Sequence, residues 1–284
     1  MGINVLSLFD GISCGQIALE RVGVDVDNYF ASEIDKYAIQ VTKHNYPNTK
    51  HIGDVTDVKG ADLPKIDLLI GGSPCQGFSF AGKQLNFNDP RSKLFFEYVR
   101  LLKECKPKYF LLENVKMKKE YQDIISEHLG VEPVAINSNN STPANRNRIY
   151  WANINIGAFQ FSSETVESFL GFTGEVAGTI GTSASRIFKK MDTFGTLTAS
   201  YWKGIRAAGR PIVIKPYCVG KHIDELKKDV DYRMLTPQEC ERLQTVPDGY
   251  TDHVSKTQRY KMLGNGWTVD VIAHIFKGLL NENL

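Results

Sequence analysis

Through its first 155 residues the chain alternates short apolar runs with segments of helical spacing, and that alternation restricts the fold more than any other feature. Apolar runs at 5–9, 29–32, 68–71, 109–113, 132–137 and 148–153 read as strands. Between them, 15–22, 35–45, 92–105 and 118–129 carry helix-like spacing, with Leu94, Tyr98, Leu101 and Leu102 on one face. Such alternation predicts an α/β fold with a doubly wound, parallel sheet that takes its ligands beyond the carboxyl ends of its strands. From about 157 to 253 the pattern weakens into Gly- and Thr-rich stretches, which predicts a separate module of strands and loops. Helical segments at 237–245 and 269–280 follow, the second apolar enough to pack back on the first domain. The expected division is 1–156 completed by 258–284 as one domain, and 157–257 as the other.

The run over 66–72 ends in Ser73-Pro74-Cys75-Gln76-Gly77. A free cysteine is most often a small buried hydrophobe. Here Gly71, Gly72, Pro74 and Gly77 break the strand into a loop, which sets Cys75 up for nucleophilic chemistry. The run 109–112 brings Glu113-Asn114-Val115 to the same edge of a parallel sheet. A thiolate beside a carboxylic acid suits covalent attack on a ring that the acid activates. Cys14, Cys105, Cys218 and Cys240 lack that setting. With no C-x-x-C spacing and an odd total of five, neither a metal site nor a disulfide framework is indicated, and a reducing compartment is expected. A net charge of +2 permits a nucleic-acid partner without demanding one. No apolar run reaches the roughly 18 residues of a membrane span, and the N-terminus reads as a strand, so a soluble cytoplasmic protein is expected.

After the first strand comes Phe9-Asp10-Gly11-Ile12-Ser13-Cys14-Gly15, whose glycines permit a tight turn and close backbone approach to a ligand. Its G-x-x-x-G spacing lacks the G-x-G-x-x-G pattern, which disfavours a nicotinamide oxidoreductase. Glu33, ending the second run, is placed to accept from ribose hydroxyls, and Asp54 in Gly53-Asp54-Val55 from an adenine amine. The three loops together suit an adenosine with no demand for phosphate. Taken singly, acids after strands are more often helix caps or surface residues.

Phe9-Asp10-Gly11, Glu33, Asp54, Pro74-Cys75, Glu113-Asn114-Val115, Arg146-Asn147-Arg148, the run 233–244 and Gly264-Asn265-Gly266 together resemble the ordered motif set of the DNA cytosine-5 methyltransferases. The likeness spans nearly the whole chain, and the gap from Arg148 to Arg233 falls where that family keeps its target-recognition domain. Its flavour is that of small bacterial or phage members similar to the vertebrate de novo enzymes. The resemblance implies a Rossmann-like S-adenosylmethionine-dependent methyltransferase fold. It assigns Phe9, Gly11, Glu33, Asp54, Pro74, Leu94, Asn265 and Trp267 to the cofactor, with Asp10, Ile12, Gly15, Ile34, Val55 and Ser73 beside them. For Phe9 and Leu94 the plainer reading is core packing.

By the same resemblance, Cys75 adds to C6 of a flipped-out cytosine, Glu113 donates to N3, Arg148 bonds O2, and Arg146 braces the loop or backbone. Glu113 must then be protonated when it works, which a closed, desolvated site favours. The family's arginine motif usually opens with Gln, where this chain has Ala144, so a bond that steadies the catalytic loop is missing. Flipping costs a few kcal/mol, and the Gly-rich stretch 76–90 resembles a lid over the flipped base, with Gln76, Ser79, Ala81 and Lys83 as DNA contacts. In the recognition module Arg186, Lys203 and Arg206 are candidates for DNA contact. The implied partners are duplex DNA, a homo-oligomer and a cognate restriction endonuclease. Two alternatives keep their place: methylation of transfer RNA, whose enzymes carry Cys-Phe-Thr where this chain has Tyr217-Cys218-Val219, and a catalytically silent DNA-binding regulatory partner.

Overall fold

The strand β1 (Ile3–Leu8) buries every side chain except that of Asn4, as a strand covered on both faces must. In the computed structural model, which describes residues 2–74, 93–159, 164–180, 186–204 and 210–280, β1 is an interior strand, third in a seven-stranded sheet. The other strands are β2 (Val26–Ser32), β3 (Lys50–Gly53), β4 (Leu68–Gly71), β5 (Tyr109–Val115), β6 (Val134–Asn137) and β7 (Asn147–Ala152), in the order β3-β2-β1-β4-β5-β7-β6. β1 is parallel to β2 and β4, with Leu6 opposite Phe30 on one side and Leu69 on the other. β5 continues the parallel run, and β7 returns antiparallel to it, pairing Glu113 with Tyr150 and Val115 with Arg148. The chain leaves β1 first toward β2 and β3, then returns to the other side through β4. The β1/β4 boundary is therefore the switch point at which α/β sheets open a crevice.

Helices α1 (Cys14–Val22), α2 (Lys36–Asn45), α3 (Lys93–Cys105) and α4 (Lys119–Leu129) connect these strands. On α3 the buried positions are Phe95, Tyr98, Val99 and Leu101, while Leu94 and Leu102 are only partly buried, so the apolar face is turned from the expected one. Phe95, Tyr98 and Leu101 join Leu6, Leu8, Leu69, Leu112 and Trp151 in the main core. β3 escapes the sequence reading because none of its four residues is fully buried. The strand expected from Glu132 starts at Val134, after Pro133, which has no N–H to give a ladder.

Contacts divide the chain into two compact units: Met1–Ile136, Asn147–Ala158 and Val271–Leu284 form one, Asn137–Arg146 and Phe159–Asp270 the other. Residues 258–270 and the short excursion 137–146 thus go with the second unit. That unit holds the helix α5 (Val166–Leu170) and an antiparallel sheet of β8 (Val176–Ile180), β9 (Phe188–Lys190), β10 (Ile212–Ile214) and β11 (Tyr232–Met234), ordered β11-β10-β8-β9. It also holds α6 (Pro237–Leu243), opened by a reciprocal cap between Thr236 and Glu239, and α7 (Lys256–Asn265). α7 was not expected; its sequence KTQRYKMLGN is mostly polar and buries only Tyr260, Met262, Leu263 and Gly264. The last helix, α8 (Val269–Leu280), belongs from Val271 onward to the first unit, where Gly278 lies so close to the Asn155 carbonyl that a Cβ would collide with it. Among the described residues no helix is long and apolar enough to cross a membrane.

Candidate functional site

The loop that follows β1 is held in an unusual backbone conformation. Phe9 and Ser13 both have φ 57° and Gly11 has φ 61°. For a non-glycine residue such a geometry costs on the order of 1 kcal/mol or more, and it persists only where neighbours impose it. Glu33, at the end of β2, is one of those neighbours: its Oε2 accepts from the Gly11 amide at 2.8 Å, and its Oε1 accepts from the amides of Ile34 and Asp35 at 2.7 Å each. Three amides take three of the roughly four lone-pair directions of a carboxylate and leave space for one more donor. Asp10 is the other: it accepts from Ser7 Oγ at 2.6 Å, from Tyr29 Oη at 2.8 Å and from Ser13 Oγ. Burial pushes the Asp10 carboxyl up to about 6, against the pull of those three hydroxyls.

Around this loop the predicted cofactor residues separate by burial. Ile34 is 72% exposed, an apolar side chain left bare at the carboxyl edge of the sheet, whereas Ile12 and Val55 are buried in the core. Phe9 and Leu94 are partly buried against the main core, which satisfies the packing reading of both. Gly15 faces inward, where a Cβ would meet Ile70 and the Tyr29 hydroxyl, so close helix-on-sheet packing accounts for it. Asp54 follows Gly53 (φ 80°) and accepts from the amide and hydroxyl of Thr56 at 2.9 and 2.8 Å, which hold its carboxyl below the usual range. The Val55 carbonyl accepts from Arg100 at 3.1 Å.

At the next strand ends, Glu113 is buried and Arg148 Nε stands 2.8 Å from its Oε1. The adjacent Asn114 donates to Ser73 Oγ at 3.2 Å and to the Ser73 carbonyl at 3.4 Å, tying the loop after β4 to β5. That loop runs on through Pro74 to Cys75, which lies outside the described residues together with Gln76, Ser79, Ala81, Lys83 and Arg206. Of the other cysteines, Cys14, Cys218 and Cys240 are buried, and burial pushes the thiols of Cys105, Cys218 and Cys240 up, the wrong direction for a nucleophile.

Arg146 sits in the second unit and is buried. Its guanidinium donates to the carbonyls of Leu197 at 3.0 Å, Gly264 at 3.2 Å and Gly266 at 2.7 Å. The segment leading to it is paired along its backbone: Asn145 N donates to the Phe194 carbonyl and Phe194 N to the Pro143 carbonyl, each at 2.8 Å. Ala144 forms a bridge with Phe194 in the same pairing, so the stretch is steadied without the family's glutamine. Asn265 is exposed and Trp267 half-buried at the end of α7. Gly264 lies so near the Thr198–Ala199 backbone that no Cβ fits, which gives a packing reason for the first glycine of the Gly264-Asn265-Gly266 motif. Arg186 is exposed, has φ 42° and reaches Asp224 at 3.6 Å; Lys203 is exposed over the ring of Trp202.

Comparison with known proteins agrees with this arrangement. The family model for C-5 cytosine-specific DNA methylases matches residues 3–150 and 173–281. The chain is 31% identical to the Type II methyltransferase M1.ScrFI of Lactococcus lactis subsp. cremoris, over 98% of this chain and 78% of that protein. It is 32% identical to the Type II methyltransferase M.NlaX of Neisseria lactamica, over 96% of this chain and 94% of the relative. In fold it is similar to the methyltransferase EhMeth of Entamoeba histolytica, with a TM-score of 0.80 at 20% identity over 99% of each chain. With an α/β sheet that carries Phe9-Asp10-Gly11, Glu33, Asp54 and Glu113 at its strand ends and a family match over most of its length, the chain belongs to the C-5 cytosine-specific DNA methylases and is a DNA cytosine-5 methyltransferase.

Proposed function

We propose that the enzyme transfers the methyl group of S-adenosylmethionine to C5 of a cytosine flipped out of duplex DNA, within a short recognition sequence, through a covalent bond between Cys75 and C6. The observation that carries the reading is the pairing of buried Glu113 with partly buried Arg148 at 2.8 Å, next to Asn114, whose amide holds Ser73 two residues before Cys75. The bare Ile34, the remaining acceptor direction of Glu33 and the Asp54 carboxylate fit an adenosine: an apolar face, a ribose hydroxyl and an exocyclic amine. Phe9, Asp10, Gly11, Pro74, Leu94, Asn265 and Trp267 are assigned to the same ligand by the family motifs. The cofactor supplies an electrophilic methyl group on a sulfonium centre.

In this reading Cys75 as thiolate adds to C6 while Glu113 gives its proton to N3, so that the electron pair of the C5–C6 bond becomes available at C5 for methyl transfer. Arg148 donates to O2 and stabilises the charge drawn onto the ring. Transfer of the C5 proton to a solvent water then restores the C5–C6 double bond, expels the Cys75 thiolate and returns the N3 proton to Glu113. Arg148 must share its hold on Glu113 with the base for this to proceed. The first unit carries the chemistry, and the second reads the DNA, with Arg186 and Lys203 as contacts there. The Type II relatives support a restriction-modification setting with a cognate endonuclease.

The test is transfer of labelled methyl to unmethylated duplex DNA and, in parallel, to transfer RNA, followed by bisulfite sequencing. Methyl at C5 of DNA cytosine, lost in Cys75→Ala, is the expected result and yields the recognition sequence. Label on RNA alone would overturn the DNA reading, and label on neither would return the silent-partner alternative to consideration.

A further inference from the structure

Every helix ends with carbonyls that lack an intrahelical partner, and a buried end needs donors from elsewhere. At the end of α7 the Met262 carbonyl accepts from the Gly266 amide at 2.7 Å. The carbonyls that follow are taken by two side chains distant in sequence. Gln244 Nε2 donates to Leu263 at 2.7 Å and to Gly266 at 3.2 Å. Arg146 donates to Gly264 at 3.2 Å, Asn265 at 3.5 Å and Gly266 at 2.7 Å. Both donors are buried, at 5% exposure for Arg146 and 3% for Gln244. A guanidinium is also favoured there by the negative end of the helix dipole.

The same glutamine fastens the start of α8. Its Oε1 accepts from Thr268 Oγ1 and its backbone carbonyl from the Val269 amide, both at 2.9 Å, and the Asp270 amide donates to Thr245 Oγ1 at 2.8 Å. The turn Asn265-Gly266-Trp267 is thereby gripped along its buried side from before and after, while the Asn265 side chain is left exposed. Rotation of this turn would break hydrogen bonds to both donors at once, because they share the Gly266 carbonyl.

We infer that Arg146 and Gln244 are positioning residues for the Asn265–Trp267 turn, so that cofactor affinity, and not the acid chemistry at Glu113, depends on them. The inference rests on the assignment of Asn265 and Trp267 to S-adenosylmethionine. It moves Arg146 from the catalytic group to the cofactor side, and it gives Gln244 a role that the sequence did not indicate.

The experiment compares Arg146→Lys, Gln244→Met and Trp267→Ala with the wild-type enzyme. Binding of S-adenosylhomocysteine is measured by calorimetry, steady-state methyl transfer gives kcat and KM for S-adenosylmethionine, and thermal melting monitors the fold. Arg146→Lys and Gln244→Met are each expected to weaken binding by about tenfold, as loss of a charged or shared hydrogen bond does. The KM for S-adenosylmethionine should rise in step, with kcat at saturation within about twofold of wild type. Lower melting temperature with unchanged binding and KM would reduce the pair to a structural role and overturn the inference. A fall in kcat with unchanged binding would return Arg146 to the chemistry and do the same. If Trp267→Ala binds as wild type, the underlying cofactor assignment fails instead. Should Arg146→Lys not fold, Gln244→Met, which removes only neutral contacts, decides the matter.

Discussion

Arg148 and Glu113 are diagonal neighbours across an antiparallel strand pair, and Nε of the first lies 2.8 Å from Oε1 of the second. Glu113 stands opposite Tyr150, so Arg148 is two residues along on the same face. An acid and a cation are thus presented side by side from adjacent strands of the sheet. Glu113→Gln keeps the shape and a donor group but removes the transferable proton. A fall in kcat of about 10²–10⁴-fold is expected, with cofactor binding unchanged. Single-turnover methyl transfer with pre-bound DNA measures it; a loss below tenfold would remove Glu113 from the role of proton donor.

The raised Asp10 carboxyl gives the β1 loop a pH signature. Its folded value of about 6 exceeds the ordinary 3.8, so between those values the folded protein binds more protons at this group than the unfolded chain does. Stability from Asp10 is therefore full below about 4 and is lost as pH rises through 6. Asp10→Asn removes this group's titration. Melting temperatures recorded from pH 4 to 8 should show the wild type losing ground to Asp10→Asn over that interval, and parallel curves would contradict the burial of Asp10.

Glu33 acts on the same loop through three amides. Replacing it by Ala leaves the Gly11, Ile34 and Asp35 amides without their acceptor, at a cost of about 1–3 kcal/mol for a charged partner. Faster hydrogen exchange at those amides is expected, with roughly tenfold or greater loss of S-adenosylmethionine affinity. Glu33→Ala with wild-type exchange rates at Gly11 would mean that Asp10 alone holds the loop.

Gly264→Ala places a methyl group against the Thr198–Ala199 backbone, which cannot rotate away as a side chain can. Overpacking of this kind destabilises by about 1–3 kcal/mol. For a chain of this size the melting midpoint should fall by roughly 2–4 °C for each kcal/mol. An unchanged midpoint would show that residues 198–199 yield.

The strand-helix alternation was legible because strands buried on both faces, such as β1, β4 and β5, need unbroken apolar runs; all six expected runs form strands of the sheet, although the edge strand β6 is mostly exposed. Glu33 and Glu113 were legible for a related reason: each is an acid that follows an apolar run, and in a parallel sheet the ends of those runs share one edge, whereas Asp54 follows no such run and was read from its Gly53-Asp54-Val55 loop. β3 and α7 were not, since one is never fully buried and the other is mostly polar, so neither carries the periodic signal of burial.

By itself, the sequence determined the layered α/β fold, the order of the motifs and the family, because these follow from local patterns and from residue types at chain positions. Only the tertiary structure decided which of those residues act on one another. Arg146 and Arg148 are two apart in the chain, yet one is buried among the carbonyls that end α7 and the other is held against Glu113. The physical reason is that a hydrogen bond depends on where donor and acceptor meet in space, and the partners of Arg146 lie as many as 120 residues away in the chain.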